Sequence, residues 1–287
     1  QKRVGSNQYA FELLKNLHDL PTAKEHEWIV YLREKPLLDM PPETSWWKYK
    51  VFGPRYFWTQ VALPFSLFLG KHPDVFFSPG HYRPRWSPIP TVVSIMDLGY
   101  LRFPEQFTKK DVLKLTKWTA RSIKNASHMF AISQSTRDNI IKFYKIPEGK
   151  ITVTYPGYDK SKFKNQISNI KIDKVKKKYK IKNGYVLFLS TLKPSKNVEG
   201  LLEAFRLLGN SAIRGSKSLM TQESNDLSLV IAGKKGWMSD SIFKKIKDLG
   251  IEDKVIFTDF VPEDDVPALM KGAQVFVLPS FWKGFGI

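Results

Sequence analysis

The chain has 287 residues, is 42% hydrophobic and carries a formal net charge of +19. That is length for about two globular domains with real cores, and zero cysteine excludes disulfides and thiolate metal sites. Five histidines, none at a His-x3-His spacing, argue against zinc, and cysteine-free composition fits a reducing compartment.

Residues 7–20 carry Phe11, Leu13, Leu14 and Leu17 at helical spacing. Gly5 stands just ahead, where a glycine permits close backbone approach at a helix N-terminus; an ordinary turn explains it equally. WIVYL (28–32) reads as a strand, and the Pro- and Trp-rich residues 33–54 as an irregular connection. A helix follows at 56–69. Its apolar run from Val61 to Leu69, broken by Pro64 and Ser66, is shorter than the roughly 20 residues that span a bilayer. It reads as a buried helix or one resting on a membrane. No leader-type apolar region follows Gln1. Next come strands at 74–78 and 91–98 and an amphipathic helix near 108–125. The strand HMFAIS and a helix capped by Ser133 or Ser135 follow, and KITVTYP closes this half as a strand.

The second half repeats the alternation. Strands are expected at 185–191, 227–233, 255–260 and 275–280, with helices from 198, around 241–249 and near 263–271. The polar stretch 210–226 reads as a surface insertion. Strands alternating with helices imply an α/β fold with parallel sheets and crossover helices. The halves meet near 156–184, where ten lysines between Lys160 and Lys182 face a single acid, Asp173. Such a run attracts nucleic acid, anionic lipid or phosphorylated substrates. A solvated linker and helix face is the plainer reading, and nucleic acid is the weakest partner because no nucleic-acid-binding signature accompanies the lysines.

Three segments could carry chemistry. In 190–197, STLKPSKN, a strand leads into a helix whose free N–H groups and partial positive charge, with Lys196, suit a diphosphate; a plain turn with a solvated lysine is the alternative. In 233–237, GKKGW, Gly233 ends a strand beside Lys234 and Lys235. In 281–287, FWKGFGI, Gly284 and Gly286 around Phe285 permit backbone N–H groups to face an anion. The chain contains no GxxxxGK[ST], no GxGxxG, no G-x-S-x-G and no Asp-x-Asp. Glu263, Asp264 and Asp265 at a helix start suit the helix dipole.

In order along the chain, SIMDLGYLRFPEQF, FAISQSTRDNIIKFYKIPEGKITVTYPGYD, FLSTLKPSKNVEGLLEAF, LVIAGKKGW, FTDFVPEDDVPALMKGAQVFVLPS and KGFGI resemble the retaining glycosyltransferases of family 4. The resemblance implies the GT-B architecture, two Rossmann-like domains facing a cleft, with an acceptor-side domain at 1–158, a lysine-rich linker and helix at 159–184 and a nucleotide-sugar domain at 185–287. A first strand is then expected upstream of Lys2, and further elements after Ile287. It also implies transfer of a sugar, with retention and without a metal or cofactor, from a nucleotide-diphosphate sugar to a glycan or lipid-linked acceptor, in the cytoplasm or at the inner membrane face.

By position, Lys196 contacts the donor diphosphate, and Thr191 stands where many members have an arginine. Val261 holds the base through its backbone, and Gly233 and Lys234 belong to the donor side. Gly284, Phe285 and Gly286 place backbone N–H groups at the donor. Lys283 replaces the first glutamate of the family's Glu-x7-Glu pair. On the acceptor side stand Gly5, Asp97 and His81, the last either a substitute for the histidine that Met96 displaces or, equally, a surface histidine. The resemblance identifies no general base. Two rival readings remain: a non-catalytic relative that binds or scaffolds, favoured by Lys283 and Thr191, and a basic module for membranes or polyanions centred on Lys160–Lys182.

Overall fold

The computed structural model describes residues 5–54, 56–69, 72–158, 167–213 and 227–285. They form two compact units. One runs to Pro156 and includes the segment from Lys283; the other runs from Gly157 to Trp282.

The first unit opens with α1 (Ser6–His18) and a parallel strand pair, β1 (Trp28–Leu32) and β2 (Trp47–Val51). The second of these strands lies inside the stretch expected to be irregular. Its W-K-Y-K-V alternation has the period of a half-buried strand: Trp47 is fully buried, Lys48 is exposed, and the Trp47 ring meets Trp28, Trp46 and His18. The proline-rich residues before it pack as a loop, and the Tyr49 hydroxyl donates to the Pro41 carbonyl at 2.7 Å.

The short α2 (Ala62–Phe68) buries Leu63 and Leu67 and leaves Phe65 and Phe68 exposed. The main sheet has the order β3 (Phe76–Ser78), β4 (Thr91–Ile95), β5 (His128–Ala131), β6 (Ile151–Val153), all parallel. Both faces of such a sheet are covered, so β4 is buried at four of its five positions. After α3 (Gly99–Arg102), the helix expected near 108–125 is one run. It comprises α4 (Lys109–Lys114), a π turn at Leu115–Thr119 and α5 (Ala120–Asn125). Ser133 is the cap of α6 (Gln134–Tyr144), its Oγ accepting the Thr136 N–H at 3.1 Å. Val93, Ile95, Met129, Ala131, Ile123 and Ile140 form the core between sheet and helices.

In the second unit α7 (Asn169–Lys178) precedes a parallel sheet of order β10-β7-β8-β9, with β7 at Tyr185–Leu189, β8 at Ser228–Ala232, β9 at Val255–Asp259 and β10 at Val275–Phe276. Its crossovers are α8 (Val198–Ile213), α9 (Asp240–Leu249) and α10 (Val266–Lys271). One face packs Phe188, Leu202, Ile231 and Ile242, the other Tyr185, Leu187, Val230 and Leu269. The helix expected from Glu263 begins at Val266. Asp265 precedes it, and its carboxylate accepts Lys178 Nζ at 2.6 Å and the Tyr179 hydroxyl at 2.8 Å. The acid thus ties α7 to α10 rather than serving only the helix dipole. Of the lysine run, residues 160–166 lie outside the described residues, as does most of the expected insertion. Among the described residues no helix is long and apolar enough to cross a membrane.

Candidate functional site

In the second unit the carboxyl ends of the parallel strands gather four loops, the place where open α/β sheets bind ligands. The chain leaving β7 and the chain leaving β8 run side by side. Ser190 N–H donates to the Ala232 carbonyl at 2.9 Å, Leu192 N–H to the Lys234 carbonyl at 2.9 Å, and Gly236 N–H to the Leu192 carbonyl at 2.8 Å. Glycine is required twice here. Gly233 has φ +140°, and a Cβ there would overlap the Ser190 carbonyl; one at Gly236 would overlap the Leu192 carbonyl and crowd the Thr191 methyl. The third strand joins them through Gly233 N–H, which donates to the Asp259 carbonyl at 2.8 Å, with Asp259 itself at φ +54°. Phe281 N–H reaches the Ser195 carbonyl at 3.1 Å and adds the fourth loop.

Lys196 closes a short turn, Pro194–Lys196, and is only 9% exposed. Asn197, in left-handed geometry, then feeds the N-terminus of α8. Lysines are almost never that buried without compensation, so the sequence here holds a positive charge beside the free N–H groups of a sixteen-residue helix. Lys193 stacks over the Trp237 ring at 4.9 Å, Lys234 over Phe260 at 5.1 Å and Lys235 over Phe243 at 4.3 Å. Val261 is buried in the core, only 6% exposed. The edge is cationic, with Lys193, Lys196, Lys234 and Lys235 gathered on the loops that leave the first two strands.

In the first unit the exit of β4 is a second gathering point. The Met96 N–H donates to His81 Nε2 at 3.3 Å, and the Met96 carbonyl accepts from the Thr136 hydroxyl at 3.3 Å. Asp97 Oδ1 accepts the Gly99 N–H at 3.0 Å, an Asx turn at the entry to α3. The His81 Nδ1 is shut off from solvent without a partner among the described residues. Burial pushes the pKa of this ring down, opposed by the Asp97 charge. Gly284 is buried against this turn: a Cβ on it would overlap the Met96 carbonyl and come within 2.8 Å of the Asp97 Cβ. The Phe285 ring lies 5.9 Å from that of Tyr155.

The structure therefore groups Thr191, Lys196, Gly233, Lys234 and Val261 at one sheet end in the second unit, and His81, Asp97, Lys283, Gly284 and Phe285 in the first. Gly5 precedes α1 at φ +58° with open space around it, and Tyr9 of that helix meets the Ser94 hydroxyl at 3.4 Å. Gly286 lies outside the described residues. Sequence reasoning missed Thr136, Asp259 and Tyr155. A threonine in the first turn after a Ser cap and an aromatic two residues past β6 are their only local marks, and the positive φ of Asp259 has none. Among the described residues no group of three or more His, Asp or Glu could hold a metal ion.

Two curated relatives are each longer than this chain, which spans less than two thirds of either. It is 25% identical over 277 residues to O-antigen chain mannosyltransferase B of Escherichia coli, covering 96% of this chain and 65% of that protein. It is 26% identical over 195 residues to O-antigen chain mannosyltransferase RfbU of Salmonella typhimurium, covering 68% and 47%. Among solved structures, Anabaena HepE in complex with UDP and glucose superposes with a TM-score of 0.68 at 18% identity, over 99% of this chain and 73% of that one. At that identity the likeness speaks for the fold, which is the GT-B architecture of two Rossmann-like units. The profile of Glycosyl transferases group 1 matches residues 169–287 and that of Glycosyltransferase Family 4 matches residues 5–162. A parallel sheet in each unit and matched profiles along nearly the whole length lead to one assignment: the chain belongs to glycosyltransferase family 4.

Proposed function

We propose that the protein transfers a sugar from a nucleotide-diphosphate sugar to a glycan or lipid-linked acceptor, with retained anomeric configuration and without a metal. The observation that carries the donor reading is Lys196, a nearly buried lysine at the carboxyl end of a parallel sheet and directly before a helix N-terminus. The helix N–H groups and this lysine neutralise the diphosphate as the glycosidic bond lengthens and positive charge develops on the sugar. Such preorganised charge needs no reorganisation at the moment of reaction. Gly233 and Gly236 let the two strand exits run side by side, which brings Lys234 and Lys235 to the same edge as Lys196. The two O-antigen mannosyltransferase relatives make nucleotide-diphosphate mannose the first donor to try, and UDP-glucose the second.

Replacing Lys196 with alanine in the full-length protein is expected to lower donor turnover by about 10²-fold or more, the typical effect of removing one stabilising group. Unchanged donor affinity and turnover would sink the donor reading. If no donor in the panel releases its sugar with the wild-type protein, the non-catalytic reading takes its place.

One observation favours an additional polyanion-binding role. Asp173, Lys176, Lys177, Lys180, Ile181 and Lys182 line a shallow surface cavity of about 460 Å³. Four lysines to one acid suit an anionic lipid headgroup, which would keep the enzyme beside a lipid-linked acceptor at the inner membrane face. The signature of this role is binding that weakens with salt.

A further inference from the structure

We propose that His81 is a positioning residue: as a neutral imidazole it holds Met96 against the backbone of Gly284, and so fixes the segment that carries Lys283 and Phe285. The functional weight of this inference rests on the reading of that segment as part of the sugar site; its geometry does not.

Met96 is held at both polar atoms of its backbone. Its N–H donates to His81 Nε2, and its carbonyl accepts from the Thr136 hydroxyl, each at 3.3 Å. The backbone of Gly284 packs on that same carbonyl so closely that no side chain fits at position 284. A shift of a few tenths of an ångström at Met96 must therefore move Gly284, and with it both of its neighbours in the chain. The methionine side chain plays no part in this; the backbone does.

The arrangement dictates the state of the imidazole. Because Nε2 accepts, the single proton of the neutral ring sits on Nδ1. A second proton would turn Nε2 toward Met96 as N–H facing N–H, and the bond would be lost. Among the described residues Asp97 is the charged group whose field reaches the ring, and it favours protonation; burial opposes it more strongly. Tyr82 flanks the ring at 6.3 Å between centroids. The other elements packed against Met96 contribute Thr136 and Gly284, which do not titrate.

Amide hydrogen exchange on the full chain, without donor, tests this for wild type, His81→Gln and His81→Leu. Glutamine places Oε1 near the position of Nε2 and accepts without titrating; leucine cannot accept. In His81→Leu, peptides covering 95–99 and 281–285 are expected to exchange roughly fivefold to tenfold faster, the effect of one lost hydrogen bond. Peptides covering 185–189 should stay unchanged, and His81→Gln should restore protection. The wild type, after correction for intrinsic rates, should keep protection through the ordinary imidazole range and lose it at the same two segments only as pH falls below that range, whereas His81→Gln should not.

Wild-type exchange in the leucine variant at both segments overturns the proposal, and so does loosening spread evenly over the chain. If the leucine variant does not fold, the pH comparison decides, and identical profiles for wild type and His81→Gln overturn it. Because no donor is present, a failed donor reading leaves this result intact and is seen separately in Lys196→Ala.

Discussion

At the scale of single residues, the two glycines Gly5 and Gly233 have positive φ for different reasons. Gly5, at φ +58°, has open space where a Cβ would stand, so its need for glycine is conformational alone. Gly233, at φ +140°, is both conformationally restricted and pressed against the Ser190 carbonyl. Replacing Gly233 with alanine is expected to destabilise the protein by about 1–3 kcal/mol from backbone strain alone, with a further loss because Ser190 and Thr191 must move. A denaturant midpoint reads the first effect and donor affinity the second; an unchanged midpoint would contradict the crowding at this strand end. A glycine after a strand is visible in the sequence. That it faces a carbonyl from the preceding strand's exit is not, because the approach is made by the sheet. Thr136 and Asp97 behave alike, since each acts on a turn whose partners arrive from other elements.

At the scale of elements, the buried hydroxyl of Tyr185 joins β7 to α10. It donates to the Leu269 carbonyl at 2.6 Å, and the residue is fully buried. Tyr185→Phe should cost about 1–3 kcal/mol, since the carbonyl is left without its donor in the core. Burial also raises this phenol's pKa from 10.0 to about 12. The neutral form is thus favoured in the fold, so its stabilising contribution is complete below about pH 10 and is lost as pH rises toward 12. Alkaline unfolding curves should therefore be less steep for Tyr185→Phe between those limits, and parallel curves would contradict the linkage. The strands and long helices are readable because apolar periodicity reports burial directly. The strand at Trp47–Val51 escapes a reading of the sequence because five residues of alternation sit in a stretch dense with proline and tryptophan. The start of α10 reads too early because Glu263, Asp264 and Asp265 look like a first turn, whereas Pro267 occupies that position.

At the scale of the whole molecule, the charge of +19 is the property most open to a simple measurement. Sedimentation with anionic vesicles is expected to retain the protein at low salt and release it as ionic strength rises, because surface charges are screened beyond about 8 Å at physiological salt. Lys176→Glu with Lys177→Glu should weaken retention more than two Lys→Glu substitutions elsewhere if the lysine-lined cavity is the contact. Equal loss for a distant lysine pair would leave only a diffuse effect of net charge.

The sequence by itself determined the class of the molecule: two α/β halves, most of their strands and crossovers, the order of six family-like segments and the lysine excess. Those are properties of local pattern, where each residue's environment follows from its neighbours in the chain. Only the tertiary structure decided which polar groups meet: Lys196 drawn into the protein beside α8, Gly233 against Ser190, and His81 and Thr136 on either side of Met96. Apart from Lys196, which stands just before α8, those contacts join positions far apart in sequence, and hydrogen bonds and close packing have no period from which they could be read.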